Sequence, residues 1–475
     1  MMLLFKTIFL FELRLLVRQK FSLVLIGFFF AAGLYSIYDG YRFTQKQLSS
    51  IDSLQHGYEK KYQQAVASFS AEPNTAAGKT LFNQAGIPAV IEYKNPLYAI
   101  NKPQSLSTLS IGQRDVSPYY DLITRKRNFV QGTNAEISNP EVLASGNFDL
   151  AYVIIYLLPL LAIALSFNTL SKEKEQQTDK LLSSQGMYFG KIISYKIMFR
   201  SMLIGSMAWT LSIIGFINSA LLIPFDLTAA VLWLLSISAY LLFWFAVIFF
   251  IIRLSQSSVH NALYLFGLWC FFLMLFPALC NALVRLYHPI PLKTDAAVAL
   301  RENSEAVWAL PRKLLIDTFY LNNPKYKPLR TASDTSENSS KRFAAYYDLL
   351  GHRMTQVVKN YNQYPEKQNA VANNLSWINP ATKTQYLLNG IAETGLENYL
   401  SYQDQINDFQ KTWVDFMNDY IISEKKLSLK DLRNLPEFRL KPAAKKNQHI
   451  LLGIFYLFGF STCIIFFALK LRIKI

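Results

Sequence analysis

Hydrophobic positions in this chain are bunched rather than spread. Six windows, approximately Phe21–Tyr38, Leu150–Leu170, Ser201–Ile223, Leu227–Ile252, Val259–Leu283 and Ile450–Leu469, contain almost no Lys, Arg, Asp or Glu. Each is about 18–26 residues long, enough to cross a ~30 Å hydrocarbon core as a helix. A helix meets all its backbone hydrogen bonds internally, which lets Leu-, Ile- and Phe-rich windows like these face lipid. The first window starts after twenty residues, has no small-residue cleavage site behind it and runs into Asp39. It reads as a retained span rather than a cleaved signal.

Two intervals between windows are too long to be connectors and are expected to fold. The first opens with a helical pattern over Ile51–Phe69, continuing the first span, followed by a stretch punctuated by Pro88, Pro96, Pro103, Gly112 and Pro118. The second carries helical patterns over Phe343–Tyr361 and Leu396–Ile422. In the latter, Leu396, Leu400, Ile406, Phe409, Trp413, Phe416 and Tyr420 recur in three- and four-residue steps, the signature of one buried stripe. Thr331–Lys341, rich in Ser and Thr, reads as a flexible loop. The expected fold is mainly α: a polytopic membrane protein with six transmembrane helices and two mostly helical extracytoplasmic domains.

Charge sets the orientation. Lys6, Arg14, Arg18 and Lys20 precede the first window; Lys172, Lys174, Lys180, Lys191, Lys196 and Arg200 follow the second. Arg253 separates the fourth and fifth, and Lys470, Arg472 and Lys474 close the chain, whereas the turn near Pro224 and Asp226 has no basic residue. The positive-inside rule places all these segments, and both termini, in the cytoplasm. The layout is a cytoplasmic segment at 1–20, a span at 21–38, an outer domain at 39–149, a span at 150–170 and a cytoplasmic loop at 171–200. Three spans then fill 201–283, followed by a second outer domain at 284–449, a span at 450–469 and a tail at 470–475. A net charge of +16 is accounted for by orientation and anionic headgroups rather than by nucleic acid. The three cysteines, Cys270, Cys280 and Cys463, all fall in windows, so no disulfides staple the outer domains. No Cys/His cluster suggests a metal site.

The windows lack the mid-membrane acids and bases that ion-coupled transport uses, so work done by this chain needs energy from another subunit. Pro73–Thr80 (PNTAAGKT) ends like a phosphate loop, but Pro73 stands where the pattern needs its first glycine. Pro159 and Pro277 lie within the second and fifth windows; each frees a carbonyl and can act as a hinge or as a static kink. Gly112–Asp115 and Asn379–Pro380 read first as turn residues.

The loop Ser171–Gly186 (SKEKEQQTDKLLSSQG) sets Lys172, Glu173, Lys174, Glu175 and Lys180 beside Leu181 and Leu182. It can be a solvated connector, or a short amphipathic helix suited to a groove on a soluble partner. Residues Ser171, Glu173, Lys174, Glu175, Thr178, Leu181 and Leu182 resemble the loop of ABC-2 type transporter permeases, with Gln177 where that pattern has glycine. Residues 5–20 resemble the amphipathic elbow helix of the same family, with Thr7, Arg14 and Arg18 within about 40° on a helical wheel. Three stretches, Ser105–Tyr120, Asn139–Phe167 and Trp377–Tyr399, resemble the branch with large outer domains labelled DUF3526.

The resemblance implies a permease subunit of an ATP-driven exporter in a bacterial inner membrane. It would pair with a second permease subunit, identical or not, and be energised by a separate ABC ATP-binding subunit. Docking would use Lys172, Glu173, Lys174, Glu175, Thr178, Leu181 and Leu182, with Arg14 and Arg18 on the elbow helix. ATP and Mg²⁺ would be held by the partner, and no cofactor or catalytic residue is expected in this chain. A membrane-anchored assembly or sensing protein is the alternative.

Overall fold

In the computed structural model the chain is described over residues 2–72, 74–126, 148–177, 189–254, 257–287, 293–336, 340–441 and 447–471. Six helices among these are long and apolar enough to cross a membrane: Lys20–Ser68, Leu150–Glu175, Gly190–Ala220, Leu227–Leu254, Ser258–Val284 and Asn447–Lys470. They are numbered here as the first to sixth spans. An N-terminal helix, Met2–Arg18, precedes them and packs on the start of the third span, Phe9 lying edge-on to Phe199 with ring centroids 4.9 Å apart.

The fourth span is the hub of the bundle. Trp233, Ile237, Tyr240, Trp244 and Ile248 along it are fully buried, and it packs most extensively against the sixth. The fifth span, by contrast, exposes Leu263, Phe266, Met274, Leu275 and Leu279. An apolar helix face left open in this way suits contact with lipid or with another helix.

The first span runs unbroken from Lys20 to Ser68, so the helix expected over Ile51–Phe69 is its direct continuation. The third starts at Phe189, well before the window that begins at Ser201. Lys191, Lys196 and Arg200 make that first part look like a loop, yet helical backbone tolerates charge wherever partners exist for it.

Beyond the bundle lies a head built from both long intervals. Its hydrophobic core joins Ala65, Ile91, Leu97, Ala99 and Ile123 of the first interval to Leu315, Phe319, Tyr402, Trp413 and Met417 of the second. The two intervals expected as separate outer domains therefore share one core. The antiparallel strands β1 (Leu97–Ile100) and β2 (Tyr120–Ile123) lie against the helix Leu396–Ile422. Tyr402 Oη of that helix donates to Ala99 O at 3.0 Å, and Gln410 Nε2 to Thr124 O at 2.8 Å. Along the helix the buried positions include Tyr402, Ile406, Trp413, Met417 and Ile421, while Phe409 and Phe416 of the expected stripe are partly buried at its flank. The other expected helix runs further than its pattern, over Lys341–Ser376.

Thr331–Ser336, expected as flexible, instead forms a capped turn. Asp334 is buried, accepts from Tyr320 Oη at 2.6 Å and lies 2.7 Å from the equally buried Lys341 Nζ. Composition alone does not reveal that one Asp and one Lys of this polar run point inward. The PNTAAGKT stretch resolves into helix chemistry: Thr75 caps the helix Ala76–Gln84 by accepting from Gly78 N. The regular element before it is the first span, not a strand.

Candidate coupling site

At the end of the bundle nearest the chain termini, four charged side chains meet, Glu12 and Lys196 buried and Glu173 and Arg200 half-buried. Glu12 is 3% and Lys196 8% exposed. Lys196 Nζ, on the third span, donates to Glu173 Oε1 at 2.6 Å and lies 3.4 Å from Glu12 Oε1. Arg200, one turn further on, reaches Glu12 Oε2 at 3.5 Å. The N-terminal helix, the segment after the second span and the third span are thereby joined by one charge network.

The network is incompletely satisfied. Glu12 Oε1 has an ionic neighbour but no hydrogen-bond donor, and Arg200 Nη1 is buried with no partner among the described residues. Charges taken out of water repay their desolvation only with full hydrogen bonding, so this arrangement favours specific geometry over stability.

The same segment is fastened to the fifth span. Ser171 Oγ lies 2.7 Å from Ser258 Oγ, Glu175 Oε1 accepts from Ser258 N at 2.9 Å, and Asn261 Nδ2 donates to Phe167 O at 3.0 Å. Arg253 Nη1 in turn donates to Ala468 O at 3.0 Å, tying the fourth span to the sixth. A displacement of residues 171–177 would thus be felt by the N-terminal helix and by the third and fifth spans.

Of the residues expected to dock a partner, Glu173 faces inward to Lys196, and Glu175 caps the fifth span while remaining exposed. Lys172 is exposed and Lys174 half-buried; Thr178, Leu181 and Leu182 lie outside the described residues. Arg14 and Arg18 are exposed on the N-terminal helix. Gln177, at the glycine position of the motif, has φ +56°, the left-handed conformation for which glycine is the usual residue. The pattern's glycine thus has a backbone reason: it follows the short helix Ser171–Glu175 at a position of positive φ.

Glu12 was legible and overlooked. It is the one acid in the first 38 residues, and it sits on the apolar side of the elbow helix, opposite Arg14 and Arg18. A lone carboxylate on an apolar face asks for a buried cation, which Lys196 and Arg200 supply.

Pro159 and Pro277 each follow a widened, π-helical turn, Val153–Leu157 and Phe271–Leu275 respectively. Proline cannot donate to a carbonyl of the preceding turn, and here neighbouring elements donate to carbonyls in those two turns. Tyr240 Oη of the fourth span donates to Ile155 O at 2.8 Å, and Trp269 Nε1 of the fifth to Tyr156 O at 3.0 Å. Asn379 Nδ2, from the head, donates to Phe272 O at 2.6 Å. Asn379 also caps the helix Pro380–Ile391 through its side-chain oxygen, so one residue joins the head to the bend in the fifth span.

The three stretches singled out in the sequence meet where head and bundle join. Asp149, capping the second span, accepts from Tyr152 N and Ile111 N, both at 2.8 Å. Burial pushes its carboxyl up to about 6. Ser110 Oγ donates to Asn389 Oδ1 at 2.7 Å, and Gln113 N to Thr394 O at 2.8 Å. Gly112, at φ +54°, passes so close to Thr394 that a β-carbon would lie 2.6 Å from its carbonyl oxygen.

Residues 293–441 match the family model described as "Domain of unknown function (DUF3526)". The match covers about a third of the chain, lies within the second long interval and includes Trp377–Tyr399. No curated protein and no solved structure matches the chain. The DUF3526 match agrees with the branch suggested by the sequence stretches. It leaves the activity to be argued from the site.

Proposed function

We propose that this chain is the membrane-spanning permease subunit of an ATP-driven ABC-2 type exporter, energised by a separate ATP-binding subunit. The observation that carries the reading is the fastening of residues 171–177 to the N-terminal helix through Glu173, Lys196 and Glu12. In such a permease the loop after the second span and the elbow helix receive the ATPase, so force must pass from both to the spans. The network supplies that path, and its unsatisfied atoms, Arg200 Nη1 and Glu12 Oε1, are groups that a second arrangement of the loop would engage. An element with two arrangements is what a coupled partner can bias.

On this reading the termini face the cytoplasm of a bacterium, the head lies outside the inner membrane, and two permease subunits pair with two ATPase subunits. The exposed Lys172, Arg14 and Arg18 form the cytoplasmic surface, while Glu173 transmits rather than docks. The open apolar face of the fifth span suits lipid or the second permease subunit.

The test is copurification. The chain is expressed from its native locus with a tag, extracted in mild detergent, and accompanying proteins are identified by mass spectrometry. A stoichiometric nucleotide-binding subunit is expected, and its ATPase turnover should lose regulation by the permease in Glu173→Gln. Recovery with a sensor kinase and no ATPase would instead favour an anchored sensing protein.

A further inference from the structure

Where the head meets the outer ends of the fourth and sixth spans there is a cavity of about 640 Å³. That is within the roughly 300–1,000 Å³ typical of small-molecule sites. Its distinctive feature is Lys383, on the helix Pro380–Ile391, which is 5% exposed. The ammonium sits 3.7 Å from the centroid of the Trp377 ring. Among the described residues no side chain is hydrogen-bonded or ion-paired to Lys383 Nζ; the acid whose field it feels is Glu397, which is exposed and lines the same cavity.

An ammonium drawn largely out of bulk water beside an aromatic face is costly unless an anion joins it. Thr382 Oγ1, next in sequence and also lining the cavity, is buried without a hydrogen-bond partner. Asn369 and Asn373 add amides to the same wall. An ammonium, a hydroxyl and amides on residues that line one cavity are the elements of an oxyanion site.

The rest of the wall is apolar and belongs to the spans. Leu232 of the fourth span and Ile450 of the sixth line the cavity. Beside them Leu227, Val231, Leu452 and Phe455 are exposed on the outside of the bundle. The space therefore passes from a polar recess, lined by Lys383 and by the carboxylates of Glu393 and Glu397, to apolar residues of two spans. Gly453 keeps the geometry close: a β-carbon there would lie 2.7 Å from Leu387 Cδ2 and 3.0 Å from Lys383 Cε. Glu393 also lines the wall, together with Gln113, and both residues line the small neighbouring recess under the head. His449 stands at the start of the sixth span.

We infer that this cavity binds the anionic head group, phosphate or carboxylate, of a membrane amphiphile, with Lys383 as its anchor and the chains lying against the fourth and sixth spans. The inference does not depend on an ATPase partner. An amphiphile is favoured over a free anion because Leu232 and Ile450 of the spans line the cavity, and the exposed apolar side chains of Leu227, Val231 and Leu452 lie close to them along the same two helices.

Binding to the full-length chain in a neutral maltoside detergent is measured by calorimetry with four probes: dihexanoylphosphatidylglycerol, dihexanoylphosphatidic acid, uncharged dihexanoylglycerol and inorganic phosphate. The charged lipids should bind, with Lys383→Met weakening them by at least about tenfold, the scale of losing one charge-assisted contact. Lys383→Arg should stay within about threefold of wild type. Thr228→Trp, at an exposed position on the rim, should weaken binding without touching Lys383, and thus guards against misfolding of the methionine variant. Equal binding of dihexanoylglycerol, or no effect of either Lys383→Met or Thr228→Trp, would overturn the assignment. Inorganic phosphate binding as tightly as the lipids would replace the amphiphile with a free anion.

Discussion

Removing Lys196 takes away the cation shared by two carboxylates, Glu12 buried and Glu173 half-buried. Glu12 and Glu173 both face its ammonium, at 3.4 and 2.6 Å, and Arg200 contacts only Glu12, at 3.5 Å. Breaking a buried pair from one side costs about 3–5 kcal/mol, because the remaining charge is left uncompensated. Lys196→Met should therefore lower stability by an amount in that range, and Glu12→Gln added to it should restore part of the loss. The informative quantity is the coupling between Lys196→Ala and Glu173→Ala in a double-mutant cycle, expected at about 1.5–3 kcal/mol. It can be read from urea or thermal unfolding in mild detergent, with protease susceptibility of the N-terminal segment as a second probe. A surface pair would show well under 1 kcal/mol and fade with salt. Coupling below about 0.5 kcal/mol, or its loss at high salt, would refute the buried network and the force path built on it.

Four other outcomes are expected. Gln177→Gly should stabilise the loop by about 1 kcal/mol and Gln177→Val should destabilise it, because φ is +56° there; thermal unfolding of the two variants checks this. Gly40→Ala should be severely destabilising, since a β-carbon would lie 1.9 Å from the Thr108 carbonyl oxygen, a backbone atom with little room to yield; poor recovery of folded protein by size exclusion is the readout. Ion pairing and hydrogen bonds hold the buried Asp334 carboxyl down to about 2, below its unfolded value. Its contribution, on the order of 2 kcal/mol, is present above pH about 4 and lost as pH falls through about 2; Asp334→Asn should flatten that part of the acid unfolding curve. Burial lowers Lys383 from 10.5 to about 8, so between those values the unfolded chain binds more protons and stability rises with pH. Lys383→Met should abolish that slope, measured in denaturant titrations across the interval.

The spans were readable because lipid-length apolar windows leave few alternatives, and all six correspond to long helices. Their ends were less readable. Lys191, Lys196 and Arg200 made the first part of the third span resemble a loop, since windowed hydropathy counts charge and cannot see Glu12 and Glu173 opposite. The head's architecture was hidden for a different reason. Ala99 and Tyr402 meet across some three hundred residues of chain, and periodicity reports which face of a helix is buried but not what covers it. Pro159 and Pro277 were visible as kinks, whereas the Tyr240, Trp269 and Asn379 donors that meet them were not. Lys383 lay in a stretch already singled out, but nothing in its neighbourhood marked that lysine as buried.

The central claim is that a separate ATPase engages the surface around residues 171–177. Site-specific photocrosslinking from Lys172, an exposed residue of the segment, in intact cells and followed by mass spectrometry of the adduct, tests it most directly. The account predicts an adduct with a nucleotide-binding subunit that is lost when the crosslinker is moved to the head, for example to Lys411, exposed on the helix Leu396–Ile422. Adducts at Lys172 containing no nucleotide-binding protein, with the chain folded and abundant, would contradict it.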